Sequence, residues 1–126
     1  IGLQQMKKID NVVKRRFEIY KRYKNALEKY TWIQNCDADI ISNFGLGLLI
    51  DNINSFVRGL EKEGIDSRPL ICGSIGQQPF WIKKYGKQIL ENASKVHDKG
   101  LYIPAHHNLS NDDIEHISNT IIKLLR

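Results

Sequence analysis

The sequence predicts an α+β fold: a small mixed or antiparallel sheet covered by helices and led by a long N-terminal helix. Three observations carry this prediction. A helical apolar period runs through the first thirty residues, three short β-like runs are separated by helical ones, and glycines or proline mark most of the junctions. With 126 residues and 41% hydrophobic content, the chain can bury one core, and residues 1–126 read as a single domain.

From Leu3 to Tyr30 the apolar residues Met6, Ile9, Val13, Phe17 or Tyr20, Tyr23, Leu27 and Tyr30 recur every three or four positions, with charge between them. This predicts one amphipathic helix. Ile1 and Gly2 offer it no N-cap and there is no initiator Met, which reads as a chain continuing upstream. After the polar stretch Gln34 to Asp39, the run Ile40 to Ile50 is predicted as a strand, with Gly45 and Gly47 permitting close backbone neighbours. Asp51 and Asn52 offer caps to a helix whose Ile53, Phe56, Val57 and Leu60 share a face, and Gly64 provides its left-handed stop.

Ile65 to Cys72 reads as a second strand, at an edge or bulged, because Pro69 has no N–H for a ladder. Gly73 to Gly86 reads as an irregular loop, too aromatic at Phe80, Trp81 and Tyr85 for a passive linker. Lys87 to Lys99 is predicted as a helix with Ile89, Leu90, Ala93 and Val96 inward, and Leu101 to Ile103 as a short strand. Ser110 then caps a last helix, with Asp113 as capping-box partner and Ile114, Ile117, Ile121 and Leu124 as its buried stripe.

The net charge of +5 is local: Lys7 to Tyr30 holds nine Lys or Arg against Asp10, Glu18 and Glu28. Lys14, Arg15 and Arg16 point around the axis, which describes a solvated face and no nucleic-acid partner. No run approaches the roughly 18 apolar residues of a membrane span and no signal peptide opens the chain, so the expectation is a cytoplasmic protein with no membrane partner. Cys36 and Cys72 are too few for a disulfide framework and too distant for a CxxC pair, and read as reduced structural thiols. Although Cys72 sits where a thiol nucleophile could, no base is identifiable for it.

Adjacent strand residues face opposite ways, so His106 and His107 cannot readily share a metal with His97 or His116, and no metal is expected. Gly45-Leu46-Gly47 lacks the third glycine of a dinucleotide fingerprint, and no GxxxxGK[ST] phosphate loop exists.

The order of the motifs goes further. Gly2-Leu3-Gln4-Gln5-Met6-Lys7-Lys8-Ile9-Asp10 with Arg15-Arg16 and Tyr20 resembles the "GLxQLxKID…RR…Y" segment of the DegT/DnrJ/EryC1/StrS sugar aminotransferases. Gly64-Ile65-Asp66-Ser67-Arg68-Pro69 is similar to that family's "GIxxRP", Gln78-Pro79-Phe80 to its "QPxY/F", and Leu101 to Ser110 to its "LxLPxHxxLS". The resemblance implies the C-terminal small domain of a fold-type I enzyme that uses pyridoxal 5'-phosphate on nucleotide-linked keto sugars. It implies a homodimer whose Schiff-base lysine and cofactor contacts lie in a large domain upstream, so no catalytic or cofactor-binding residue is expected in this chain.

Two departures matter. Gly76-Gln77-Gln78-Pro79 stands where many of these aminotransferases read "HxQP". Arg68 to Ser74 and His106-His107 instead resemble the "RPxxAGN" and "NHH" segments of the family's sugar 3-dehydratase branch, in which a histidine replaces the lysine and pyridoxamine phosphate drives dehydration.

The substrate-contact candidates are Arg68, Ser74, Gln78 and His106. Arg68 could clamp phosphate or sugar oxygens bidentately, or form a surface ion pair with Glu63 or Asp66. Ser74 and Gln78 could hold sugar hydroxyls, or close their own loop. His106 could line a shared cleft, or cap the last helix. Phe80 and Trp81 suit packing against the large domain or a partner subunit. A reading of another class is a stand-alone interaction module using the basic helix 7–30.

Overall fold

A computed structural model of the chain describes residues 2–33, 38–71 and 73–126. Cys36, Cys72 and most of the stretch Gln34 to Asp39 lie outside the described residues. The described chain forms helices α1 (Gly2–Met6) and α2 (Ile9–Leu27), strand β1 (Gly45–Leu49), helix α3 (Ile53–Lys62) and strand β2 (Arg68–Pro69). A 3₁₀ turn over Ile75–Gln77, helices α4 (Pro79–Tyr85) and α5 (Glu91–Lys99), strand β3 (Gly100–Pro104) and helix α6 (Asn111–Leu124) follow. The sheet has the order β1-β3-β2 and is antiparallel: Arg68 pairs with Tyr102 and Pro69 with Leu101, while the Ile50 N–H donates to the Lys99 carbonyl. The class is α+β.

The chain gathers into two compact units, one of residues Ile1–Leu46 with Pro104–Arg126 and one of Gly47–Ile103. In the first, α2 packs on α6. Ile19, Tyr20, Tyr23 and Leu27 are the buried face of α2, and Ile114, Ile117 and Ile121 that of α6. Burial raises the Tyr23 phenol above its ordinary range, with the Asp113 charge adding to the effect, and its hydroxyl donates to the Pro104 carbonyl at 3.0 Å. Arg15 donates to the Leu109 carbonyl at 2.6 Å and to Asn111 Oδ1, so this member of the basic run serves the α6 N-terminus.

The predicted single helix is interrupted. Lys7 and Lys8 form a turn in which the Lys8 N–H bonds three residues back to Gln5, and the leading Leu3 and Met6 are 83% and 62% exposed. A period of apolar residues is worth little without a surface to bury it, and here the stripe is buried only from Ile19 onward. The helix also ends at Leu27, leaving Tyr30 outside it.

Ser110 caps α6 as expected: its hydroxyl accepts the Asp113 N–H at 3.0 Å, and Asp113 accepts the Ser110 N–H at 2.8 Å. The Ser110 hydroxyl, which also donates to Asp113 Oδ2 at 2.7 Å, and then the Ser110 N–H hold the Asp113 carboxyl below its usual range, against a desolvation that opposes them, with the charges of His106 and His116 adding to the lowering. A carboxyl lowered in the folded state stabilises above its unfolded titration range and loses that contribution as pH falls through the folded value. The α6 contribution is therefore expected to disappear on acidification below the normal carboxylate range. Ser110→Ala should cost about 1 kcal/mol in urea unfolding at neutral pH, and much of the acid sensitivity with it.

In the second unit, Leu48, Ile50, Phe56, Leu60, Ile65, Leu101 and Ile103 form the core. α3 ends as the sequence requires: Gly64 adopts φ +73° and the Ile65 N–H reaches back to the Leu60 carbonyl at 2.9 Å. Asn52 precedes α3 without a side-chain cap bond. The first strand is limited to Gly45–Leu49 rather than beginning at Ile40, and the second to Arg68–Pro69. Pro69 sits on the edge strand, consistent with its missing N–H. Gly73 to Gly86 is not an irregular loop, because Pro79 at the first position of α4 starts a helix that Gly86 stops at φ +78°. α5 begins at Glu91, and the predicted inward residues Ile89 and Leu90 lie before it, 69% and 63% exposed.

Candidate functional site

The segment leaving β2 is tied to its surroundings at several described residues. The Gly73 N–H donates to the Leu70 carbonyl at 3.1 Å, closing a tight turn in which Ile71 is held at φ +40° and Gly73 at φ +69°. A positive φ is a strained state for a β-branched residue, and such strain gathers where a backbone path is imposed by its surroundings. Here α5 imposes it. A Cβ on Gly73 would stand 2.0 Å from His97 Nδ1 and 3.0 Å from the His97 Cα. The next N–H, of Ser74, donates to His97 Nδ1 at 3.3 Å.

The remainder of the segment is fastened in the same manner. Gln77 Nε2 donates to Ser94 Oγ at 3.1 Å, one helical turn before His97. The Gln88 N–H donates to the Gly76 carbonyl at 3.0 Å, and a Cβ on Gly76 would stand 2.5 Å from the Gln88 carbonyl oxygen. Gln78 is extended and its carbonyl receives the N–H groups of Trp81 and Ile82, so it fixes the start of α4.

Beside this segment a groove of about 580 Å³ runs between α3, β2 and the end of α5. Asn54, Arg58, Glu61, Arg68, His97 and Asp98 are among its lining residues. Arg68 is on the edge strand, 68% exposed in its side chain, with Asp66 as its ion-pair partner at 3.2 Å. An exposed pair of this kind is worth roughly 0–1 kcal/mol, so a bidentate anionic ligand can displace it.

Of the four candidates, the structure brings three to one unit. Arg68 opens on the groove, Ser74 is buried against α5, and Gln78 is half-buried at the head of α4. His106 belongs to the other unit, in the exposed turn after β3, where its carbonyl accepts the Leu109 N–H at 3.1 Å. Reading the sequence missed Arg58, and treated His97 only as a possible metal ligand. The one available signal was the Ser94–His97 spacing of three residues, which places both on one face of a helix.

A lysine that forms a Schiff base must lose its proton readily, which burial or a neighbouring cation brings about. Among the described residues no lysine is buried, and hydrogen bonding to Asp51 moves Lys99 the opposite way, upward. On burial, then, no lysine among the described residues suits a Schiff base. Among the described residues no three His, Cys, Asp or Glu side chains cluster as metal ligands would, and no helix is long and apolar enough to cross a membrane.

Solved structures with the same fold include Helicobacter pylori PseC, an aminotransferase involved in the biosynthesis of pseudoaminic acid. It is 20% identical, with TM-score 0.87 over 98% of this chain and 35% of that one. A DegT DnrJ EryC1 StrS aminotransferase from Brucella abortus is 22% identical, with TM-score 0.85 over 96% of this chain and 33% of its own. The E. coli GDP-4-keto-6-deoxy-D-mannose-3-dehydratase with bound hydrated PLP is 21% identical, with TM-score 0.83 over 95% of this chain and 33% of its own. The chain thus spans about a third of the length of these structures. No curated protein matches it in sequence. The model of the DegT/DnrJ/EryC1/StrS aminotransferase family matches residues 1–122, and the chain belongs to that family.

Proposed function

We propose that this chain is the C-terminal small domain of a cytoplasmic, homodimeric, pyridoxal-phosphate-dependent nucleotide-sugar aminotransferase, and that it binds substrate through Arg68, Ser74, Gln78 and His106. The observation that carries the reading is Arg68: an exposed guanidinium on an edge strand, held among the described residues by a weak pair, lining a groove large enough for part of a nucleotide sugar. The cofactor supplies the amino-group chemistry and is held by other parts of the enzyme. This chain's task is to grip and orient the sugar nucleotide. Ser74 and Gln78 lie on the segment beside that groove, Ser74 buried and Gln78 half-buried.

The surface of the second unit supports a domain that works against a neighbour. α4 buries none of its residues, and Phe80, Ile82 and Tyr85 upon it are exposed, as is Ile75 just before it. The buried indole N–H of Trp81 has no acceptor among the described residues. A short helix with no buried face gains little from its own propensity, and a large domain or partner subunit packed there would supply what is missing.

A second reading, a 3-dehydratase using pyridoxamine phosphate, is favoured by one feature. The glycine that the "RPxxAGN" resemblance places at Gly73 is required here by its φ of +69° and by the approach of His97. The residue at the Schiff-base position in the complete enzyme, lysine or histidine, separates the two.

The site itself is tested by adding a nucleoside-diphosphate hexose to the protein and following backbone and arginine side-chain resonances. Arg68, Gly73 and Gln78 are expected to shift together, with Arg68→Ala weakening binding about tenfold, the effect of removing one charge-assisted contact. Shifts confined to residues outside the groove and its loop would overturn the assignment.

A further inference from the structure

The residue that joins the groove to the loop is His97, and the reading of Arg68 and Gln78 as substrate contacts gives it no role. Its ring lines the groove, while its Nδ1 accepts the Ser74 N–H and sits where a Cβ of residue 73 would otherwise be. An Nδ1 that accepts is unprotonated, so the ring's proton is on Nε2. Ser94, one turn earlier on the same face of α5, receives Gln77 from the same segment. The segment between β2 and α4 is thus seated on two adjacent side chains of one helix.

We propose that His97 is a positioning residue: its neutral imidazole holds Gly73 and Ser74 where the chain leaves β2, while Ser94 holds Gln77, and protonation of the ring releases Ser74. This rests on the reading of Ser74 as part of the substrate site for its functional meaning, but not for its geometry. Protonation consumes the one lone pair that the Ser74 N–H uses and turns Nδ1 into a second donor facing a donor. Histidine is the side chain that makes this change within the physiological pH range. The ring is exposed, so solvent protons reach it. Arg58 and Glu61 from α3, Arg68 from β2 and Asp98 from α5 itself share its groove, two cations and two anions. Ser94 does not titrate, so the Gln77 bond persists when the Ser74 bond is lost, and the segment hinges rather than detaches.

The test uses the protein without ligand. The ring nitrogens of His97 and the amides of Gly73, Ser74 and Gln77 are followed by NMR from pH 8 to pH 5. The amides of Gly73 and Ser74 are expected to move with the same midpoint as the His97 ring. Ser74 amide exchange, corrected for its intrinsic pH dependence, is expected to be about tenfold less protected in the protonated form, the factor for one lost hydrogen bond. His97→Asn places an acceptor oxygen near the Nδ1 position without a titrating group, and should keep Ser74 protected and flat with pH. Ser94→Ala should shift Gln77 and leave the Ser74 titration in place. A Ser74 amide indifferent to the ring's titration, or one that titrates equally in His97→Asn, overturns the proposal. Because no sugar nucleotide is present, that result leaves the substrate reading standing, just as absent ligand shifts at Arg68 would leave this one standing.

Discussion

Ile103→Ala is expected to lower the stability of the protein by about 2–5 kcal/mol, read as a reduced urea midpoint with an unchanged slope. Ile103 is fully buried, on the central strand of a three-stranded sheet. Its removal forfeits the transfer of its side chain from water and leaves a cavity that a strand bonded on both sides cannot move to fill. Natural domains hold only about 5–15 kcal/mol in reserve, so this one substitution is a large share of the total. Leu3→Ala is the control: Leu3 is 83% exposed, and its truncation should change the midpoint hardly at all.

Gly73→Ala is the second large effect, and its cause is different. Alanine at φ +69° is strained by about 1 kcal/mol before any neighbour is considered. Its Cβ would then overlap His97 Nδ1 at 2.0 Å and Cγ at 2.8 Å, which forces the ring or the loop to move. We expect a total loss of roughly 2–4 kcal/mol, from strain together with overpacking. The two contributions separate in a double-mutant cycle. In a His97→Ala background the ring atoms Nδ1 and Cγ are gone while the backbone Cα, at 3.0 Å from the new methyl, stays, so Gly73→Ala should cost less there by the share that the ring contributes. Equal costs in both backgrounds would show that the ring does not crowd residue 73.

The elements that were legible from the sequence are those whose causes are local. Gly64 stops α3, Ser110 and Asp113 cap α6, and Pro69 lies on an edge strand, because backbone geometry and side-chain reach over a few residues decide each of them. Pro79 was equally local but was read only as a loop residue, although a proline at the first helical position is favourable and here it starts α4. The break at Lys7 and Lys8 had no local sign. The same apolar period runs through it, and what differs is that nothing buries Leu3 and Met6 while Ile19 and Tyr23 are enclosed.

The site divides along the same line. Arg68 was singled out because a guanidinium beside an edge-strand proline stands out in sequence, and because the motifs around it resemble a family to which the chain belongs. Ser74 was read as a hydroxyl for sugar or as a residue that closes its own loop, and the fold adds that it lies buried with its backbone N–H on His97. His97 and Arg58 were not identified, since residues 58, 68 and 97 share a groove only after α3, β2 and α5 have packed.

By itself, then, the sequence determined the α+β class, the helix caps and stops, the edge position of Pro69 and the family, all of which depend on short-range patterns and their order. Only the tertiary structure decided where the first helix breaks, that the segment after β2 is seated on α5, and that Arg68 shares a groove with His97. Those depend on which surfaces meet, and a side chain 23 residues along the chain from Ser74 becomes its hydrogen-bond partner only when the fold brings the two together.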